Sequence, residues 1–117
     1  MKIGIVSFAH LHAEAYIGNL RSNPGVEYVG FYDADPERRE QYGMAFDSPT
    51  FGDWDEFLAT GVEAAIVCSE NAYHRRDVEA LASAGIHVLC EKPLAPEPAD
   101  AEAIVAACEK AGVTLMT

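Results

Sequence analysis

At 117 residues, half of them apolar, the chain is long enough for one folded domain with a hydrophobic core, and its composition excludes a disordered polymer. Its formal net charge of −11, from 19 acidic against 8 basic residues, argues against binding to nucleic acid or to an anionic membrane surface. The apolar runs are too short to span a membrane and no signal peptide follows Met1, so we expect a cytoplasmic protein. The acidic, lysine-poor composition would also suit a halophilic source.

Strand-like and helix-like segments alternate along the chain, joined by short connections. Apolar runs predict strands at 2–6, 26–32, 50–51, 64–68, 87–90 and 113–116. Helical periodicity predicts helices at 13–22, 36–45, 54–58 and 72–84, and a last one that begins around Pro96–Pro98 and ends at Gly112. Asp35 and Asp53 are predicted N-caps. This order predicts an α/β fold: a doubly wound parallel sheet of about six strands with helices on both faces.

The three cysteines give no sign of a disulfide framework or a zinc site. Their number is odd, and Cys68, Cys90 and Cys108 lack metal-ligand spacing. Cys68 and Cys90 lie in apolar strand runs. We therefore expect buried, reduced thiols.

Asp33 ends the second predicted strand, where a dinucleotide-binding βαβ unit carries the acid that binds the ribose hydroxyls. A carboxylate there accepts a hydrogen bond from a free 2′-hydroxyl and repels a 2′-phosphate, and Asp35 adds to that repulsion. This predicts NAD rather than NADP as the cofactor. The alternative is that Asp33 is an ordinary turn residue without a ligand.

The loop after the first strand lacks the glycines that usually accompany such an acid. The pattern G-x-G-x-x-G would fall on positions 7, 9 and 12, which are Ser7, Ala9 and His12. Their Cβ atoms narrow the space for a pyrophosphate and hinder a positive φ angle. We expect the amides at the N-terminus of the following helix to remain free and to attract an anion.

Three histidines could meet at the carboxyl edge of the sheet. His10 and His12 flank Leu11, and His74 follows the fourth strand. A metal site built on them is an alternative that we disfavour, because no carboxylate is spaced to join them. We favour His10 and His12 as residues that cap or line the loop, and either could also donate a hydrogen bond to a phosphate. In the turn that contains His74, Asn71 is a predicted N-cap.

The segment His87–Ala95 carries the most specific chemistry. A buried strand ends at Glu91-Lys92-Pro93, and the carboxyl ends of strands are where open α/β sheets bind ligands. A lysine at that edge can donate a proton or place a positive charge beside a substrate oxygen. The alternative is an ordinary loop with a solvated lysine.

These motifs together resemble the N-terminal domain of the Gfo/Idh/MocA oxidoreductases. The resemblance extends over the whole chain and is most specific at Asn71-x-x-His74 and at Glu91-Lys92-Pro93-Leu94-Ala95. It implies a Rossmann domain, hydride transfer between NAD(P) and a sugar, cyclitol or related alcohol, and a homo-oligomer. The chain departs from the family in its Ser-Phe-Ala-His-Leu-His loop and in Glu70, where the family usually has proline.

The resemblance also implies roles for individual residues. It places Lys92 beside the nicotinamide and the substrate hydroxyl as the catalytic residue, and it implies a cis bond before Pro93. The family's substrate domain lies beyond Thr117, so we expect the chain alone to be inactive. A non-catalytic nucleotide-binding or sensor module is the alternative function. The predicted cofactor-binding residues are Ser7, Phe8, Ala9, His10, His12, Asp33, Ser69, Asn71, His74, Glu91, Lys92 and Pro93.

Overall fold

Six parallel strands form one sheet in the computed structural model, which describes residues 1–117. Their order is β3-β2-β1-β4-β5-β6, so the direction of winding reverses between β1 and β4. In a sheet of this kind the ligand crevice lies outside the carboxyl ends of the strands at that reversal. The strands are β1 (Lys2–Val6), β2 (Glu27–Tyr32), β3 (Thr50–Phe51), β4 (Ala64–Val67), β5 (His87–Cys90) and β6 (Leu115–Met116).

The helices cover both faces of the sheet, which confirms the predicted doubly wound fold. They are α1 (His12–Ser22), α2 (Pro36–Ala45), α3 (Trp54–Leu58), α4 (His74–Ser83) and α5 (Pro98–Ala111). No helix combines the length and the apolar character needed to cross a membrane.

Two apolar clusters hold the layers together, because successive side chains of a strand point to opposite faces. Ile5 and Phe31 pack with Ile17 of α1 on one face, while Val67 packs with Leu81 of α4 on the other. Gly4 of β1 allows the second cluster to approach closely, since a Cβ atom at that position would lie 2.6 Å from the Phe57 ring.

Most of the predicted helix ends are confirmed. The side chain of Asp35 accepts hydrogen bonds from the amides of Glu37 and Arg38, and Asp53 accepts one from the amide of Glu56. Gly112 closes α5 in the left-handed conformation, at φ 69°. Cys68 and Cys90 are buried free thiols, as expected, and Cys108 is one as well.

The prediction that Asn71 caps a helix starting at 72 is wrong. Asn71 is exposed and lies inside a 3₁₀ turn, Asn71–Tyr73, while α4 begins only at His74. Glu70, in an extended conformation, occupies the cap position, and no side chain caps the turn. The strand ends differ by one or two residues as well: β2 begins at Glu27, β4 ends at Val67, and β6 begins at Leu115.

Candidate functional site

A cleft of about 370 Å³ opens where the winding of the sheet reverses, outside the carboxyl ends of β1, β2 and β4. Asp33 and Arg38 form one wall of the cleft, and Ser69 and Tyr73 form part of the opposite wall. Both walls are therefore built by the turns that follow parallel strands. This is the edge at which the sequence predicts a ligand.

The carboxylate of Asp33 is fully buried and accepts five hydrogen bonds from the chain itself. Arg38 donates two of them, from Nε to Oδ2 at 2.8 Å and from Nη2 to Oδ1 at 3.0 Å. The amides of Phe8 and Asp35 and the hydroxyl of Ser7 donate the others. Burial alone would raise the pKa of this carboxyl, but the hydrogen bonds from Arg38 and the amides outweigh it and lower the pKa.

Arg38 also links the two walls of the cleft. Its Nη1 donates to Oε1 of Glu70 at 3.1 Å, so one guanidinium joins α2 to the turn that follows β4. The hydrogen bond with Asp33 is the main reason that the pKa of Arg38 is raised. Arg38 is not among the site residues predicted from the sequence, although its position five residues after Asp33, in the first turns of α2, is a usable signal.

Ser7 takes the positive φ angle that its Cβ was expected to hinder. Its φ is 68°, in the left-handed region that favours glycine. Two hydrogen bonds of its hydroxyl account for this, because Oγ donates to Asp33 at 3.0 Å and accepts from the Ala9 amide at 3.1 Å. A serine therefore stands in for the first glycine of the loop.

The expectation of free amides at the start of α1 is wrong for all of them except that of Leu11. Those of Phe8, Ala9, His10 and His12 donate within the chain, at 2.9 to 3.2 Å, to Asp33 Oδ2, Ser7 Oγ, Cys68 O and His10 Nδ1. The side chain of Phe8 is buried in the core, where its ring centroid lies 4.4 Å from that of Phe31. The amide of Leu11 and the imidazoles of His10 and His12 are therefore the groups that this loop can offer to an anion.

Glu91 brings the carboxylate that the sequence appeared to lack beside these histidines. Its Oε1 accepts from the hydroxyl of Tyr16 at 2.7 Å and lies 3.0 Å from His12 Nδ1. The ring of His10 lies 4.5 Å from that of His12 between centroids. The expectation that no carboxylate joins His10 and His12 is therefore wrong. Burial would raise the pKa of Glu91, but the hydrogen bonds from Tyr16 and His12 lower it.

His74 does not join His10 and His12. It is fully buried, with Nε2 at 3.0 Å from the carbonyl of Ser69 and Nδ1 at 3.1 Å from that of Pro93. It thereby fastens the turn after β5 to the turn after β4. The bond between Lys92 and Pro93 is cis, as the resemblance implies.

Lys92 is the one predicted catalytic residue, and it lies exposed at the carboxyl end of β5. Its ammonium group makes no hydrogen bond or ion pair within the chain. Its backbone amide donates to Glu91 Oε2 at 3.2 Å. Across the cleft, the hydroxyl of Ser69 is buried and has no hydrogen-bond partner.

Comparison with known proteins connects this site to an enzyme family. The family model of the Gfo/Idh/MocA proteins, described as an oxidoreductase family with an NAD-binding Rossmann fold, matches residues 1–117. The chain is 40% identical over 115 residues to D-apiose dehydrogenase of Paraburkholderia graminis, a match that covers 97% of the chain and 29% of that enzyme. It is 31% identical to D-xylose 1-dehydrogenase (NADP⁺) 2 of Haloferax volcanii, over 99% of the chain and 36% of that enzyme.

A solved structure supports the same connection. The WlbA dehydrogenase of Bordetella pertussis, in complex with NADH and UDP-GlcNAcA, superposes with a TM-score of 0.85 at 28% identity. That match covers 97% of the chain and 35% of the other protein. The chain thus spans about a third of the length of the proteins that it matches.

Proposed function

This chain belongs to the Gfo/Idh/MocA oxidoreductase family, and we propose that it is the cofactor-binding part of an NAD-dependent dehydrogenase. The proposed reaction moves a hydride between NAD and the carbon that bears a hydroxyl group of a sugar, cyclitol or related alcohol. The observation that carries the proposal is that two of the predicted site residues follow strands at the same edge of the sheet. Asp33 follows β2 on one side of the reversal, and Lys92 follows β5 on the other.

The residues of the cleft fit a nicotinamide dinucleotide. The adenosine half suits the cavity between Asp33 and Tyr73, where Arg38 offers hydrogen-bond donors and Ser69 has an unused hydroxyl. Because every loop amide except that of Leu11 is already bonded, the pyrophosphate would mainly contact the side chains of His10 and His12. The nicotinamide would then lie toward Glu91 and the cis-Pro93 turn.

Lys92 is the residue that we assign to proton chemistry at the substrate oxygen. The nicotinamide supplies the hydride chemistry when it is bound. The ammonium of Lys92 is exposed and free of partners, so it can hold a proton at the substrate hydroxyl or carbonyl oxygen. Glu91 and His74 fix the backbone on either side of it.

NAD is the proposed cofactor in preference to NADP. A 2′-phosphate would meet the carboxylates of Asp33, Asp35 and Glu70 at this end of the cleft. Of the two guanidinium groups that line the cleft, that of Arg38 already pairs with Asp33 and Glu70, and that of Arg76 pairs with Asp77. We further propose that residues outside this sequence complete the substrate pocket and that the protein is a homo-oligomer.

A calorimetric titration of the chain with NAD⁺, NADH and NADP⁺ tests this proposal. We expect one NAD(H) site per chain, tighter than NADP⁺, and weaker binding in Asp33→Asn. Asp53→Asn is the matched control, because Asp53 caps α3 outside the cleft and asparagine is an equally good N-cap. Folded chain that binds no dinucleotide would overturn the proposal in favour of a module without cofactor, and equal affinity for NADP⁺ would overturn the preference for NAD.

A further inference from the structure

We propose that His10, His12 and Glu91 form a binding site for one divalent transition-metal ion of the zinc type. Each residue offers one ligand atom, and these three atoms all lie within 4.8 Å of one another. Two imidazoles and one carboxylate are a ligand set that zinc uses when a fourth position stays open to water or to a substrate. The proposed function places the pyrophosphate at the same imidazoles, so a bound ion would lie between them and the phosphate oxygens; zinc binding itself is tested without a dinucleotide.

The spacing of the ligand atoms is close to what such an ion requires. Bonds of about 2.0–2.1 Å in a tetrahedral arrangement separate neighbouring ligand atoms by roughly 3.4 Å. Nδ1 of His12 and Oε1 of Glu91 are 3.0 Å apart. All three ligand atoms, with that of His10, lie within 4.8 Å of one another. The His12 side chain is 44% exposed, so a small rotation of the imidazoles can bring the three atoms to the required separation without disturbing the core.

The charge of Glu91 calls for a cation. Its side chain is only 4% exposed. No lysine or arginine lies within ion-pair distance of it; His12 is its one basic partner. A buried carboxylate is costly unless it is paired or coordinates a metal ion, and an ion held by His10 and His12 would supply that charge.

The groups around the cluster hold the carboxylate as outer partners of a metal site usually do. Tyr16 donates to Oε1 of Glu91, and the amide of Lys92 donates to Oε2. Such hydrogen bonds orient a ligand and leave its remaining lone pairs directed at the ion. The site would open toward the exposed face of His12 and lie next to Lys92.

Zinc binding to the chain, measured by calorimetry after chelator treatment and dialysis, tests the proposal. We expect one Zn²⁺ per chain. His10→Asn and Glu91→Gln should each weaken binding by about 100-fold or more, and Tyr16→Phe by about tenfold, the loss typical of an outer partner. Glutamine keeps the shape of Glu91 and can still accept from Tyr16, so this variant should fold. The Co²⁺ form should show a visible absorption band that the Glu91→Gln variant loses.

His87→Gln is the matched control, because His87 lies at the start of β5, at the opposite end of that strand from Glu91. Its zinc affinity should equal that of the unchanged chain. Absence of zinc binding, or binding that His10→Asn and Glu91→Gln leave unchanged, would overturn the proposal. Inorganic pyrophosphate that binds and is lost in His12→Gln, without any zinc binding, would overturn it too and would assign the imidazoles to an anion.

Discussion

Arg38 holds the carboxylate of Asp33 by two hydrogen bonds, at 2.8 and 3.0 Å, in a fork that leaves neither oxygen free. The acid expected to bind ribose is therefore already paired with the next helix. A dinucleotide that reaches Asp33 must replace at least one donor, and the charge of Arg38 stays beside the ribose when it does. Cofactor choice then depends on the balance between Arg38 and the carboxylates of Asp33 and Glu70.

Removal of that guanidinium should sharpen the preference for NAD. In Arg38→Met the ribose hydroxyls no longer compete with the guanidinium for Asp33, and a 2′-phosphate loses one of its nearby cations. The ratio of NADP⁺ to NAD⁺ dissociation constants should rise about tenfold, since a hydrogen bond to a charged group contributes on the order of 1.5–3 kcal/mol. Glu70→Gln should lower the same ratio, because it frees Arg38 for the phosphate. Changes in the same direction for both variants would contradict this account.

Two substitutions at Ser7 separate the effect of its backbone strain on stability from that of its hydrogen bonds. Ser7→Gly loses both hydrogen bonds of the hydroxyl but relieves the left-handed backbone, whereas Ser7→Ala loses the bonds and keeps the strain. The alanine variant should therefore be less stable than the glycine variant by roughly 1–2 kcal/mol in urea unfolding. Ser83→Ala, at an exposed serine near the end of α4, is the control. A glycine variant less stable than the alanine variant would show that strain at Ser7 is unimportant.

The bond between Tyr16 and Glu91 should be visible in an alkaline titration. The hydrogen bond to Glu91 is the main cause that raises the pKa of Tyr16 to about 12, and burial raises the pKa of Tyr28 to about 12. Absorbance of the phenolate should therefore show two late-titrating tyrosines. Both Tyr16→Phe and Glu91→Gln should leave one.

This tyrosine also links folding to pH. Its folded pKa lies above the unfolded value of 10.0, so its bond to Glu91 stabilises the fold below pH 10. That contribution is lost as the pH rises through about 12. Tyr16→Phe should accordingly flatten the fall in the free energy of unfolding over this interval, and an unchanged slope would contradict the assignment.

His74 should matter for stability rather than for metal binding. Both of its ring nitrogens face carbonyl oxygens, those of Ser69 and Pro93, in a fully buried position. His74→Ala leaves these carbonyls unpaired and opens a cavity, at a cost of roughly 3 kcal/mol in urea unfolding. His87→Asn, at a half-buried position on β5, should cost less than about 1 kcal/mol. Similar losses for both would refute the role given to His74.

The sequence predicts the fold well because its signals are local. The caps at Asp35 and Asp53 and the left-handed Gly112 depend on a few neighbouring residues. The buried run 87–90 that ends at Pro93 is local as well. Alternation of such segments is enough for the doubly wound topology, since crossovers between parallel strands have a fixed hand.

The interior of the site could not be predicted in the same way, because its contacts are long-range. Tyr16 and Glu91 lie 75 residues apart in the sequence and meet only when β1 and β5 flank β4. The conformation of the loop before α1 depends on hydrogen bonds within the site. The hydroxyl of Ser7 makes two of them, and they hold a serine in the backbone conformation that usually requires glycine. No spacing rule for glycines or free amides reports such a substitution.

A single pair of amide correlation spectra, recorded for ¹⁵N-labelled chain with and without NADH, tests whether the cleft binds a nicotinamide dinucleotide. We expect the shifts to cluster at the carboxyl edge of the sheet, in 7–12, 33–38, 69–73 and 91–93. We also expect Gly61 and Thr114, at the opposite edge, to stay unchanged. Shifts concentrated at that opposite edge, or no shifts at saturating NADH, would contradict the assignment of the cleft to a nicotinamide dinucleotide.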